Sequence, residues 1–176
     1  MTEFLQQLIN GLSLGAIYAL IALGYTMVYG VLRFINFAHS DVFMVGAFAG
    51  FYIGRGMPKE SFATGFAALA GAMVVCALLG VTIERLAYRP LRNRSKLTVL
   101  ITAIGVSLLL ENLAQFVFGA APKAFPTLFP VHTFKLADLV ISSNQLVVLV
   151  TALALLGALQ YIVLRTKIGT AMRPVS

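Results

Sequence analysis

The sequence predicts an all-α, polytopic membrane protein of about five transmembrane helices, the second of them broken near Ser40. Three observations carry this. Of 176 residues, 60% are hydrophobic and only 11% charged. The mean hydropathy is +0.93. The apolar residues fall in long runs rather than in the short periodic stretches of a soluble core, a pattern that suits a lipid solvent.

Phe4–Leu32 carries no charge and exceeds the about 20 residues that cross about 30 Å of hydrocarbon. Its leading "MTEFLQQ" has no Lys or Arg and its apolar part is far longer than a secretory h-region, so it stays as a helix. Phe34–Gly54 is the second candidate and holds His39 and Asp41. Ser61–Ile83 is the third, uncharged throughout. Leu97–Phe118, broken only by Glu111, is the fourth, and Leu139–Leu164 the fifth. The single cysteine, Cys76, lies inside the third run. That excludes an intrachain disulfide or a cysteine-built metal site, and leaves it a packing role.

A net charge of +7 would suit nucleic acid in a soluble chain, but here orientation explains it. If all five candidates cross, Arg33, the basic residues of "ERLAYRPLRNRSK" and Arg165, Lys167 and Arg173 share one side. They number nine, against Arg55, Lys59, Lys123 and Lys135 opposite. The positive-inside rule then sets the N-terminus outside and the C-terminus in the cytoplasm. Were the second segment re-entrant, Arg33 would change sides and the division would be eight to five.

Small residues recur every four positions, at Gly11, Gly15 and Ala19 and again at Gly46, Gly50 and Gly54. Such stripes read as packing seams, since close backbone approach replaces the hydrophobic drive that lipid does not supply; a gating hinge at one of the glycines is the functional alternative. Ser107, Glu111 and Gln115 repeat likewise and give the fourth span one polar face, which should avoid lipid.

"NFAHSD", Asn36 to Asp41, interrupts the apolar pattern. On a regular helix His39 and Asp41 lie about 200° apart, which disfavours a His/Asp dyad. Continuous helix would also put Asp41 beside Phe34, Phe37, Val45 and Phe48, where a carboxylate costs several kcal/mol. A break with Ser40 as N-cap and Asp41 as first helical residue relieves this, because the charge then meets unpaired N–H groups. Non-helical backbone at that depth must be buried or line a watery cavity. The other reading is an ordinary loop at the cytoplasmic edge joining a short helix that thins the bilayer.

These residues also carry a resemblance. "GLSLGAIYALIALGYTMVYGVLRFINFAHSDVFMVGAF", Gly11 to Phe48, resembles the start of the permease subunits of branched-chain amino acid ABC importers, a family that includes urea and short-chain amide permeases. The likeness continues through "ERLAYRPLR" (Glu84–Arg92), "LLLEN" (Leu108–Asn112) and "RTKIGTAMR" (Arg165–Arg173), and so covers essentially the whole chain. It implies ATP-driven uptake of branched-chain amino acids across a bacterial inner membrane. It also implies two cytoplasmic ATP-binding subunits, a second homologous permease and a periplasmic substrate-binding protein, with the bilayer as surroundings and no nucleic acid. Two departures stand out: Ser40 where the family usually has Gly, and Pro174 where Ala is usual, two residues before the end at Ser176. The chain is therefore expected to be a single membrane-embedded permease domain over 1–176, incomplete at its C-terminus.

Asn36, His39, Ser40, Asp41 and Glu111 are expected along the translocation path, and Gly169 and Arg173 at the ATPase coupling site. No catalytic or metal-binding residue is expected: His132 is isolated from other ligand types. No Gly-rich stretch ends in Lys-Ser or Lys-Thr, so ATP belongs to partner subunits. The basic loop is a headgroup anchor or an ATPase contact. The connector "GAAPKAFPTLFPVHTF" is a stiff spacer or a landing site for the binding protein. Two other classes remain open: a self-sufficient channel or secondary carrier for a small polar solute such as urea or an amide, in which Glu111 couples or selects ions, and an intramembrane enzyme. The carrier lacks an internal repeat, and the enzyme lacks a facing nucleophile and base.

Overall fold

A computed structural model describes residues 2–32, 34–92, 94–130, 132–136, 139–166 and 169. Its elements are α1 (Thr2–Leu32), α2 (His39–Arg55), α3 (Phe62–Ile83), a π-helical turn (Glu84–Tyr88), a 3-10 turn (Arg89–Leu91), α4 (Lys96–Phe118), strands β1 (Thr133–Leu136) and β2 (Leu139–Ser142), and α5 (Ser143–Arg165). Four stretches are long and apolar enough to cross a membrane: Glu3–Gly30, Phe62–Leu91, Lys96–Phe118 and Ser143–Arg165. The chain is thus an all-α multi-pass membrane protein, but with four candidate spans among the described residues where the sequence predicts five. The missing one is α2. Its 17 residues rise about 25 Å, because Phe34–Ala38 is spent on a turn and the first helical turn carries His39 and Asp41.

The residues group into two compact units, Met1–Arg33 with Pro130–Ser176, and Phe34–Phe129. In the first, β1 and β2 pair antiparallel, Thr133 opposite Ser142 and Leu136 opposite Leu139. The predicted fifth span therefore loses Leu139–Ser142 to a strand. Ser142 explains where the helix begins: its Oγ accepts the Gln145 N–H at 3.3 Å, and the Gln145 side chain accepts the Ser142 N–H at 3.1 Å. This reciprocal cap satisfies two orphan donors of α5. Ahead of it, the Gln6 amide on α1 grips Val140 of β2 twice, donating to its carbonyl and accepting from its N–H, each at 2.8 Å. Gln145 in turn donates to Asn10 at 2.7 Å.

In the second unit, α3 ends at a chemical obstacle. Pro90 has no N–H and its ring would meet the Leu86 carbonyl. The turn before it widens, so that the Arg89 N–H reaches back to the Glu84 carbonyl. Ser95 then caps α4, its Oγ accepting the Thr98 N–H at 3.2 Å.

The glycine seam of α2 is occupied. Gly46, Gly50 and Gly54 are all buried. A Cβ on Gly46 would stand 2.5 Å from Cys76 Sγ of α3, the thiol that donates to the Val42 carbonyl at 3.4 Å. The Pro-rich connector folds back over this seam: Leu128 fills the space above Gly54, and the Phe129 ring lies on Gly65, with Phe62 and Phe66 at 5.9 and 6.1 Å. The other stripe behaves differently, since Gly11 and Gly15 have nothing within 4 Å of a Cβ among the described residues.

Gly46→Ala should therefore lower the stability of the detergent-purified protein by about 1–3 kcal/mol through overpacking, and Cys76→Ala should remove most of that cost. Gly80→Ala, with open space around it, should be neutral or slightly stabilising. Thermal unfolding of the three variants and the Gly46/Cys76 double variant checks this; equal effects at Gly46 and Gly80 would contradict it.

Candidate translocation site at the Asn36–Asp41 break

Phe34–Ala38 is non-helical, so α2 starts close to where the sequence places it, yet by a different device. The Ser40 N-cap is not formed. α2 starts at His39 with Ala38 as N-cap residue, and no side chain bonds across that cap. The reason is Asn36. Its Oδ1 accepts the Ala38 N–H at 3.2 Å and its carbonyl accepts the His39 N–H at 3.3 Å, so the turn is closed before Ser40 is reached, as Asn does in Asx-type turns. Ser40 then falls inside the first helical turn, exposed, with its Oγ donating to the Phe37 carbonyl at 3.2 Å. His39 is half-buried as the first helical residue.

The same Asn36 oxygen accepts a second hydrogen bond, from the Tyr88 hydroxyl at 2.5 Å. Tyr88 is the last residue of the π-helical turn and is buried. Its ring stands edge-on to Phe34, with centroids 5.2 Å apart. The widened turn before Pro90 sets the register of Tyr88. Through that one phenol the proline acts on a break that is distant in sequence, since 52 residues separate Asn36 from Tyr88.

Asp41 is buried, 9% exposed, on the side of α2 that meets α4, and Ser107 Oγ donates to its Oδ2. The carboxylate also stands in the first turn of α2, where the unpaired N–H groups and the positive end of the helix dipole favour negative charge. Further along the same interface, Phe48 stacks on Phe118 with centroids 4.3 Å apart. The contacts bring Asn36 to Tyr88 and Asp41 to Ser107.

Of the polar stripe on α4, Ser107 is engaged, while Glu111 and Gln115 are exposed. Glu84 and Arg92 form an exposed ion pair at 2.9 Å beside the π-helical turn, a geometry that contributes little in water. Gly169 is buried and its N–H donates to Thr166 Oγ1 at 3.4 Å; Lys167 and Arg173 lie outside the described residues. Among the described residues, no three His, Cys, Asp or Glu side chains gather as a metal site. Tyr88 is the site residue that reading the residues alone misses. The signal for it is Pro90, which forces the preceding helix to loosen.

The fold is that of a multi-pass helical membrane protein in which a hydrogen-bonded turn precedes a short helix. The family model described as "Branched-chain amino acid transport system / permease component" matches residues 7–176, and the chain belongs to that family. It is 40% identical to the high-affinity branched-chain amino acid transport system permease protein LivH of Escherichia coli K12, over 97% of this chain and 58% of that protein. It is 39% identical to the corresponding permease protein BraD of Pseudomonas aeruginosa, with the same coverage, and 40% identical to LivH of Salmonella typhimurium. The chain thus spans 58% of the length of these relatives. No solved structure matches.

Single cysteines placed from Phe34 to Val45, in a Cys76→Ala background, should label irregularly up to Ala38 and with 3.6-residue periodicity from His39 onward. Thiol reactivity in membranes measures this, and one smooth helical period through Asn36 would contradict the break.

Proposed function

We propose that this chain belongs to the membrane-spanning permease subunit of an ATP-driven importer for branched-chain amino acids, and that its Asn36–Asp41 segment borders the translocation path. The observation that carries the reading is the break itself: a turn with side-chain hydrogen bonds to Asn36 and Asp41 in a chain matching the permease family over residues 7–176. Irregular backbone in a membrane needs either protein around it or a polar path beside it, and transporters place their sites at such interruptions. Exposed Ser40 and half-buried His39 would present polar groups to the passing solute, while Asn36 and Asp41 would border the path by holding the turn and the start of α2 in shape.

In this reading ATP is hydrolysed by two cytoplasmic subunits, a second homologous permease completes the path, and a periplasmic binding protein delivers the substrate. Gly169 and Arg173 would lie at the ATPase contact. The Arg85–Lys96 loop, rich in basic residues, belongs on the cytoplasmic side of a bacterial inner membrane, which puts the connector with Lys123 outside. Tyr88 then links this loop to the break, so that a shift of the loop is felt at Asn36. The side taken by Thr2 follows from parity: external if α2 crosses, cytoplasmic if it does not.

The test is reconstitution of the complete importer in proteoliposomes with its ATPases, second permease and binding protein. Leucine uptake should require ATP on the cytoplasmic side, and Tyr88→Phe should reduce it severalfold, since the lost hydrogen bond is worth about 1 kcal/mol. Uptake of urea or an amide without ATP or partners would instead favour a self-sufficient carrier.

A further inference from the structure

The second unit holds a cavity of about 390 Å³ at the opposite end of α4 from the basic loop. Met44, Phe48 and Phe51 of α2 and Ala114 of α4 form its apolar wall, while Gln115 and Lys123 bring polar atoms to it. We propose that this cavity receives a zwitterionic aliphatic amino acid, with Lys123 meeting the carboxylate, Glu111, about one helical turn from the lining residue Gln115, meeting the ammonium group, and the α2 wall taking the branched side chain. The inference rests on the permease reading and deepens it by naming a site.

Lys123 is the first support. Its Nζ donates to the Tyr52 hydroxyl at 3.2 Å and lies 5.5 Å from the Tyr52 ring centroid and 5.9 Å from that of Phe51. Aromatic faces hold a cation in place without neutralising it. Among the described residues the ion pair is Arg92 with Glu84, so Lys123 has no carboxylate partner among them. A positioned cation with spare donors beside an apolar cavity suits a carboxylate attached to a hydrocarbon.

Glu111 is the second. α2 and α4 run in the same sense, because Asp41 meets Ser107 and Phe48 meets Phe118. Glu111 falls between those two contacts on α4 and is exposed. It stands about 6 Å along the axis from Gln115, a lining residue of the cavity, and residues four apart share a helix face. A carboxylate in an apolar span is costly against lipid and marks a functional position. An anionic lipid or a fatty acid would use Lys123 and the apolar wall but would be repelled by Glu111, so the presence of both charges favours a zwitterion.

The test uses the assembled importer, without binding protein, in phosphatidylcholine nanodiscs, and reads ligand binding by saturation-transfer NMR. The probes are L-leucine, L-leucinol, which lacks the carboxylate, and 4-methylpentanoate, which lacks the ammonium group. Lys123→Gln should weaken leucine about tenfold or more and abolish its advantage over leucinol, as expected for losing a charge-assisted bond. Glu111→Gln should do the same relative to 4-methylpentanoate. Lys123→Arg should retain binding, and Lys59→Gln, an exposed lysine outside the cavity, should leave it unchanged. Unaltered leucine binding in both Lys123→Gln and Glu111→Gln would overturn the proposal. So would displacement of leucine by phosphatidylglycerol with no effect of Glu111→Gln, which would assign the cavity to lipid. Leucine uptake by the unaltered importer separates the two failures: uptake with insensitive variants refutes the cavity alone, whereas no uptake refutes the permease reading.

Discussion

A buried carboxylate and a non-helical turn must find partners within the protein, and the hydrogen bond from Ser107 to Asp41 answers the larger of these demands. It fixes the face that α2 turns toward α4 and thereby the level at which Phe48 reaches Phe118. The opposite face is left to the glycines that meet α3 and the connector. With Asp41 unpaired, a buried charge would work against every apolar contact along that interface.

The turn before α2 meets the same constraint through Asn36, whose side chain closes the turn and accepts the Tyr88 hydroxyl. Three elements of separate origin in the sequence, the Asn36 turn with α2, the π-helical turn and α4, are joined by two short polar contacts together with the Phe48–Phe118 stack and the Phe34–Tyr88 edge contact. The polar contacts have defined geometry and can be broken singly.

Much of this is legible in the sequence, since membrane thickness sets the length of an apolar run. Ser61–Ile83 and Leu97–Phe118 become α3 and α4 within a residue at each end. Ser40 and Asp41 are strong local cap signals, yet α2 starts ahead of Ser40 because Asn36 closes the turn first. The β2 strand is hidden inside a continuous apolar run, and its conformation is held by Gln6, 134 residues away from Val140. Asp41 stands out as anomalous, but its partner on α4 is visible only as one member of a polar stripe. The connector's Pro spacing gives no sign that Leu128 and Phe129 fill the room left by Gly54 and Gly65.

The most direct test of this organisation is a double-mutant cycle on Asp41 and Ser107, using Asp41→Ala, Ser107→Ala and the pair, read by thermal stability of the purified protein. A charge-assisted hydrogen bond at a buried interface predicts a coupling energy of about 1.5–3 kcal/mol. Each single variant should cost nearly as much as the double. Strictly additive losses would contradict the claim that this bond organises the α2–α4 interface.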